Sequence, residues 1–392
     1  MKSGEKIWSR YAKLSYIWRR AGLRFSQHLS MKRFLFAIIF FSLPIALPAQ
    51  TIEGKVCDAR TGVMIAEAVV YMNGTTLVTT TDRDGFFKLE PEKPVHSNIV
   101  ISHPHYATLI AASSSVQQHQ IYYLSEKEDI SSKAGNKSDR YTRSDKMLVF
   151  RELFLGTSQA GRSCVIENEE DVVLNYDYIT NSLTGYARRP LIVDNKYLAY
   201  RLTYDLQSFI VRYESAVQNL SMAVSSLSSC LGTYFFTDLN RSDARYARRR
   251  EKIYLASSPC FWKNFVANTL EQANFRIYNR NRQIMRDQYF IVSDDMPSQQ
   301  EVMIASDTDL DLIPDIDIMS KGPVFGVLGV RYNKSIRSEI VFLTNWFSID
   351  AYGIPNVVDD LIYSGYMGEQ QALGDALPLD FKYESMYKPL GK

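Results

Sequence analysis

Histidine is scarce in this sequence. Five occur in 392 residues, His28, His96, His103, His105 and His119, and none follows residue 119. A hydrolytic triad in the chain order nucleophile, acid, histidine therefore cannot be built from the larger part of the chain. A metallocarboxypeptidase needs a His and a Glu separated by two residues, plus a distant His, and no histidine here supplies that pair. Beyond residue 119, general-base chemistry near neutral pH would fall to Asp, Glu, Lys, Tyr or Cys.

Basic charge is equally uneven. The formal net charge is +2, but nine of the basic side chains and only one acid, Glu5, lie in the first 50 residues. The remainder holds 36 basic against 42 acidic side chains. A protein that neutralises phosphates shows the opposite balance, which argues against a nucleic-acid partner. Long apolar runs are missing too. After residue 50 nothing approaches the roughly 20 apolar residues needed to cross a bilayer as a helix. Cysteine is limited to Cys57, Cys164, Cys230 and Cys260. Four thiols allow three complete pairings. Buried free thiols are the preferred reading, and Cys230 with Cys260 is the disulfide to expect if one forms.

What is present first is an export signal. Met31, Lys32 and Arg33 precede FLFAIIFFSLPIALPAQ, a short basic segment, an apolar run interrupted by Pro44, and the small residue Ala49 before the next pattern begins. This is the order of a secretory signal peptide over residues 31–50. Residues 1–30 are basic and slightly amphipathic. They are read as an upstream extension, with a membrane-surface helix as the competing reading. The mature chain is expected to be exported, periplasmic or outer-membrane associated, and soluble or peripherally attached.

Residues 51–124 read as seven short strands at roughly ten-residue spacing, which suggests a β-sandwich. Asn73-Gly74 predicts a two-residue hairpin turn and Asp84-Gly85 a second turn, because both pairs tolerate positive φ. Residues 125–145 are almost devoid of apolar side chains and read as a linker. It ends at Ser144 or Asp145, the expected N-cap of a helix. Residues 146–305 predict an α+β body: a mixed antiparallel sheet, then helices over 243–255 and 259–273 with Ser242 and Ser258 as caps. Residues 306–392 predict a β-rich segment packed on that body. The fold class is thus mainly β.

The stretch GKVCDARTGVMIAEAVVYMNGTTLVTTTDRDGFFKL resembles the carboxypeptidase regulatory-like domain. The matching positions are Gly54, Val56, Thr61-Gly62, Ala68, Val70, Gly74-Thr75-Thr76, Thr81-Asp82, Asp84-Gly85, Phe87 and Leu89. The resemblance implies a transthyretin-like sandwich, an accessory module that brings no catalytic residues. FRELFLGTS, YRLTYDLQSF, CLGTYFFTDL and SGYMGEQQALGDALPLDF resemble a group of bacterial envelope proteins in which such a module precedes a larger body. That resemblance implies no particular activity.

The remaining chemical signals are weak. Asp307, Asp309 and Asp311 alternate as carboxylates do in calcium loops, but Leu312 stands where the turn glycine is required, and an interdomain linker is the simpler reading. His103-Pro104-His105 reads as a polar loop. Gly156 to Gly161 superficially resembles a nucleophile elbow around Ser158, with its second glycine one residue too far. Arg245, Arg248, Arg249, Arg250 and Lys252 read as a solvated helix face, with an anionic polymer as the functional alternative. The doublets Asp294-Asp295 and Asp359-Asp360 would point to opposite faces of a strand. The sequence therefore predicts no catalytic residue, cofactor or metal. It predicts a non-catalytic envelope protein that binds a protein or glycan partner, with a His-independent, glycosidase-like hydrolase of envelope polymer as the alternative.

Overall fold

The structure is a computed structural model of the chain. It describes residues 51–112, 120–127, 141–214, 220, 225–240, 242–296, 299–306, 309–313, 322–357 and 359–383. The signal segment, residues 1–30, most of the polar linker, His28, His119 and Asp307 lie outside the described residues. No helix among the described residues is long and apolar enough to cross a membrane.

The protein is mainly β. Seven strands form the N-terminal sandwich: β1 (Ile52–Asp58), β2 (Val69–Met72), β3 (Val78–Thr80), β4 (Phe86–Leu89), β5 (Asn98–His103), β6 (Tyr106–Ala112) and β7 (Gln120–Leu124). They divide into a three-stranded sheet, β4-β1-β7, and a four-stranded sheet, β3-β2-β5-β6. The inner faces carry Val56, Val70, Phe87, Ile99 and Ile101, all essentially fully buried. Alternation supplies this core, because every second side chain of a strand faces the opposite sheet.

The next layer begins with helix α1 (Arg143–Leu155). Its N-cap is Thr142 rather than Ser144 or Asp145. Asp145 sits in the first turn and returns a capping-box bond to the Thr142 backbone N–H at 3.0 Å, so two orphan amides are satisfied at once. Helix α2 (Gln159–Arg162) follows. A six-stranded antiparallel sheet then contains β8 (Cys164–Ile166), β9 (Val172–Asp177), β10 (Ser182–Ala187), β11 (Leu191–Asn195), β12 (Tyr200–Tyr213) and β13 (Ser225–Asp238). Strand β12 is its spine: β11 and β10 share one edge, and β13 covers the other along its length. Phe150 and Phe154 of α1 meet Phe209 and Tyr204 of β12 edge-on at 5.0 and 4.9 Å, favourable aromatic geometry worth roughly 0.5–1.5 kcal/mol per pair beyond burial.

A second body core begins at helix α3 (Ala244–Leu255) and helix α4 (Ser258–Val266). The caps are Asp243 and Ser257, each one residue away from the expected Ser242 and Ser258. Helix α4 ends at Val266 rather than near residue 273, where Asn268 and Asn274 take positive φ and turn the chain. Strands β14 (Phe275–Asn279), β15 (Arg282–Ile284), β16 (Phe290–Met296), β17 (Gln299–Ile304), β18 (Gly326–Tyr332), β19 (Ile336–Phe342), β20 (Trp346–Asp350) and β21 (Leu361–Ser364) complete it, with helix α5 (Gly365–Glu369). The expected boundary at residue 305 runs through two sheets. Strand β14 pairs with β18, and β17 pairs with β20, so residues on both sides of that position share one core. Trp262, Phe261 and Phe265 of α4 pack there against Phe342 and Phe347.

Candidate functional site

Strand residues of the sandwich touch the body, as where Tyr71 meets Thr233 and Thr108 donates to Asp205, and two loops at the junction shape a large cleft. The first is the Asn73-Gly74 segment. It is not a two-residue hairpin: β2 and β3 are joined through residues 73–77, with Met72 N–H donating to Leu77 O at 3.0 Å. Gly74 takes φ +72°, and its backbone turns outward to the body. Gly74 N–H donates to Tyr234 O at 2.7 Å, Tyr234 N–H donates to Asn73 Oδ1 at 2.9 Å, and Phe236 N–H donates to Thr75 O at 2.8 Å. Thr76 donates its amide and hydroxyl to the Asp380 carboxylate at 2.9 and 2.6 Å. A side chain at position 74 would also meet Leu379 at 3.2 Å. Glycine is required here because the backbone must lie flat on its neighbour.

The second loop is the turn over residues 350–355. Asp350 is buried, and its carboxylate accepts backbone N–H bonds from His96 at 2.7 Å, Tyr352 at 2.8 Å and Ile354 at 2.9 Å. Burial pushes this carboxyl up, while the amide donors and the nearby His96 favour the ionised form. Tyr352 and Ile354 enter the sandwich core beside Ile52, Leu89 and Val95. Gly353, at φ +87°, lies against helix α4, where a Cβ would stand 2.1 Å from Pro259 O. On the sandwich side the His96 Nδ1 meets Ile354 O at 2.9 Å, and its Nε2 meets the Gln299 amide. Nδ1 is then the donor, and Nε2 accepts from the amide nitrogen.

Between these loops lies a cleft of about 1320 Å³. The sandwich supplies Asn73, His96 and Asn98 to it; helices α3 and α4 supply Tyr254 and Ser258; the C-terminal segment supplies Asn356, Asp359, Asp360, Tyr363, Gln371 and Asp375. The described residues that line it include no Lys or Arg. Burial raises the Asp375 carboxyl, and Glu369 adds to that, while a Ser158 hydrogen bond opposes it. Burial likewise raises the Tyr254 and Tyr363 phenols, and Tyr363 Oη accepts from Trp262 Nε1 at 2.8 Å. Asp359 and Asp360 stand exposed. The arrangement offers amide, hydroxyl and carboxyl groups beside tyrosine rings, a surface suited to hydrogen-bonding a polar ligand.

The other sequence candidates have structural employment. Asp84-Gly85 lies in the turn between β3 and β4. The Asp82 carboxylate accepts from Asp84 N–H and Phe86 N–H, both at 2.9 Å, and a Cβ on Gly85 would stand 2.5 Å from Val56 O. Asp311 does not open toward a cation: its carboxylate pairs with Arg280 at 2.9 Å, which holds its pKa down. Asp309 is described, and its carbonyl accepts from Asn279. Among the described residues no group of three potential metal ligands gathers. Cys230 and Cys260 do not pair, and all four cysteines are free. Cys230 packs beside the core of the six-stranded sheet and meets Tyr204 Oη at 3.7 Å, whereas Cys260 sits in the separate core around α4. Ser158 caps α2 by accepting from Gly161 N–H at 3.0 Å. Asp294 and Asp295 fall in β16, with side chains outside the described set.

The Arg-rich helix is only partly a solvated face. Arg250 is buried, pairs with Asp238 at 2.8 Å, donates to Leu198 O and Ala199 O, and lies 3.7 Å above the Tyr200 ring. Arg249 stacks on Tyr197 at 4.4 Å. Sequence reasoning missed His96, Asp350 and the turn that carries Tyr352. The only available signal was the Asp-x-x-Gly spacing of Asp350 and Gly353, which marks a side-chain-closed turn without saying what it touches.

No curated protein matches the chain. A family model described as CarboxypepD_reg-like domain matches residues 52–134, a range that contains the seven strands of the sandwich, Ile52–Asp58 to Gln120–Leu124. That domain is a regulatory, non-catalytic module. The chain thus carries, over residues 52–134, a CarboxypepD_reg-like domain.

Proposed function

We propose that this protein is an exported, non-catalytic component of the bacterial cell envelope whose interdomain cleft binds an envelope glycan. The observation that carries the reading is the make-up of that cleft, in which amides, hydroxyls and tyrosines line a large space and the described lining residues include no Lys or Arg. Polyhydroxylated ligands are recognised by such planar hydrogen-bonding groups beside aromatic surface. The missing cations disfavour phosphate-rich polymers. Export is supported by the basic, apolar and small-residue order over residues 31–50.

Affinity electrophoresis through gels containing neutral envelope polysaccharide tests the reading. Retardation of the wild type, reduced in an Asp359→Asn/Gln371→Ala variant, is expected. A wild type that migrates unretarded in every polysaccharide tested overturns it. One observation favours a second reading, a His-independent glycosidase: a carboxyl raised by burial, Asp375, lines the cleft as a general acid would. Release of reducing ends by the wild type, abolished by Asp375→Asn, would decide for hydrolysis.

A further inference from the structure

Strand β13 is the outer edge of the six-stranded sheet, and among the described residues only part of that edge has a backbone partner. Tyr234 and Phe236 turn their backbone groups outward, where residues 73–75 of the sandwich bond to them as a strand would. Residues of the same parity, Ser228, Cys230 and Gly232, direct their N–H and C=O groups the same way. Among the described residues no partner takes them. Natural edges are blunted by lysine, proline, inward charges or bulges. Residues 228–232 read Ser-Ser-Cys-Leu-Gly, with neither charge nor proline. One irregularity of the β12–β13 ladder falls inside this stretch, between Gly232 and Leu231, but its extra residue lies on β12, so β13 keeps its own alternation, and pairing runs continuously from Leu231 to Leu227.

We propose that residues 228–232 of this edge pair with the same residues of a second copy of the chain. The sandwich loop fixes where such a pairing stops, because it occupies the edge from Tyr234 onward. The open stretch is centred on Cys230. An antiparallel two-fold axis there sets Cys230 against Cys230 and Ser228 against Gly232, and forms about six backbone hydrogen bonds. Side chains on the outer face also match. Leu231 is 60% exposed, and the two-fold places it directly opposite Ser229 of the second copy, a large side chain over a small one. Each copy uses its open edge once, so the assembly closes as a dimer and does not propagate. The new contact continues the interface the sandwich already makes on this strand. It lies outside the cleft, so it stands apart from the glycan reading.

Sedimentation velocity of the protein over a roughly hundredfold concentration range tests this. The wild type should move from monomer toward dimer as concentration rises. Ser229→Lys/Leu231→Lys, which opposes like charges across the axis on a solvent-facing surface, should remain monomeric with an unchanged melting temperature. A variant carrying Ser229→Cys, Cys230→Ser and Leu231→Cys should form intermolecular disulfides on mild oxidation. A wild type that stays monomeric throughout, a dimer indifferent to the double lysine change, or a triple variant that does not cross-link overturns the proposal.

Discussion

The Asp350 carboxylate accepts the backbone N–H of His96 at 2.7 Å, and so ties a turn near the C-terminus to the N-terminal sandwich. The same carboxylate closes its own turn through Tyr352 and Ile354. An Asp350→Asn change keeps the shape but sets an NH₂ group against one of three N–H donors. Leaving a buried donor unmatched costs about 1–3 kcal/mol. The expected outcome is a loss of that size in urea unfolding, in a single transition read equally by probes on the sandwich and on the body. Two separate transitions, with only one shifted, would count against the bond as a tie.

Glycine positions at positive φ differ in what surrounds them, and this gives an internal control. Gly62 has φ +71° with nothing near the place an added methyl would take, whereas Gly353 has φ +87° and Pro259 O at 2.1 Å. Gly62→Ala should cost about 1 kcal/mol from backbone strain alone. Gly353→Ala adds a backbone clash and should cost more than roughly 2 kcal/mol, the upper part of the ordinary range for single substitutions. Comparable urea midpoints for the two variants would contradict the packing described for the 350–355 turn.

Arg250 offers a sharper test of the basic helix. Its guanidinium pairs with Asp238 at 2.8 Å while 7% exposed. Removing one member of a buried pair typically costs about 3–5 kcal/mol. Arg250→Ala should approach that loss, and Arg250→Lys should recover only part of it, because an ammonium cannot reproduce the planar fork or its stacking on Tyr200. Arg248→Ala, on the exposed side of the same helix, should be near neutral. Thermal melts of the three variants separate a structural arginine from a surface charge.

Two carboxyls predict opposite pH behaviour. Asp58 is held down to about 2, first by the Thr61 amide, with Tyr106 and Arg60 also donating. Its folded value lies below the unfolded one of about 3.9, so the stability it contributes is full above that pH and disappears as pH falls toward 2. Asp58→Asn should flatten the acid limb of the stability curve. Asp375 is raised by burial, so its protonated form suits the fold, and that contribution is lost as pH rises through the folded pKa. Asp375→Asn should therefore stabilise the protein at neutral pH relative to wild type. Melting temperatures across the acid range check both signs.

The sandwich was legible because its information is local. Alternation over Ile52–Asp58 and Phe86–Leu89, with Asp84-Gly85 between strands, names strands and turn without reference to anything distant. The spine strand Tyr200–Tyr213 was equally clear, since fourteen residues of nearly continuous alternation admit one period. The cleft was not legible. Asn73-Gly74 has the composition of a hairpin turn, and only the approach of Tyr234 and Leu379 shows that it is a docking loop. Asp350 and His96 are far apart in sequence, and neither lies in a pattern that predicts the other. The division at residue 305 misled for a related reason: an acidic stretch there, with Asp307, Asp309, Asp311, Asp315 and Asp317, resembles a linker, yet the strands flanking it belong to common sheets.

A protease site inserted within residues 128–140 would separate the sandwich from the body in covalent terms only. Tyr352 and Ile354 remain in the sandwich core, and Thr76 remains bonded to Asp380. The expected result is two fragments that co-elute in size-exclusion chromatography without denaturant and separate in urea. Fragments that part in native buffer would show that the module folds on its own.

The presence of Tyr352 and Ile354 in that core also orders events in time. His96 is synthesised 258 residues before its partner Ile354. The module made first must wait for nearly the whole chain before its packing closes. Until then the surface meant for those two side chains stays open to solvent, and contacts this distant in sequence form slowly. A nascent chain with such an opening is prone to self-association. The late-arriving turn thus makes completion of the first domain a signal that the last one has been delivered.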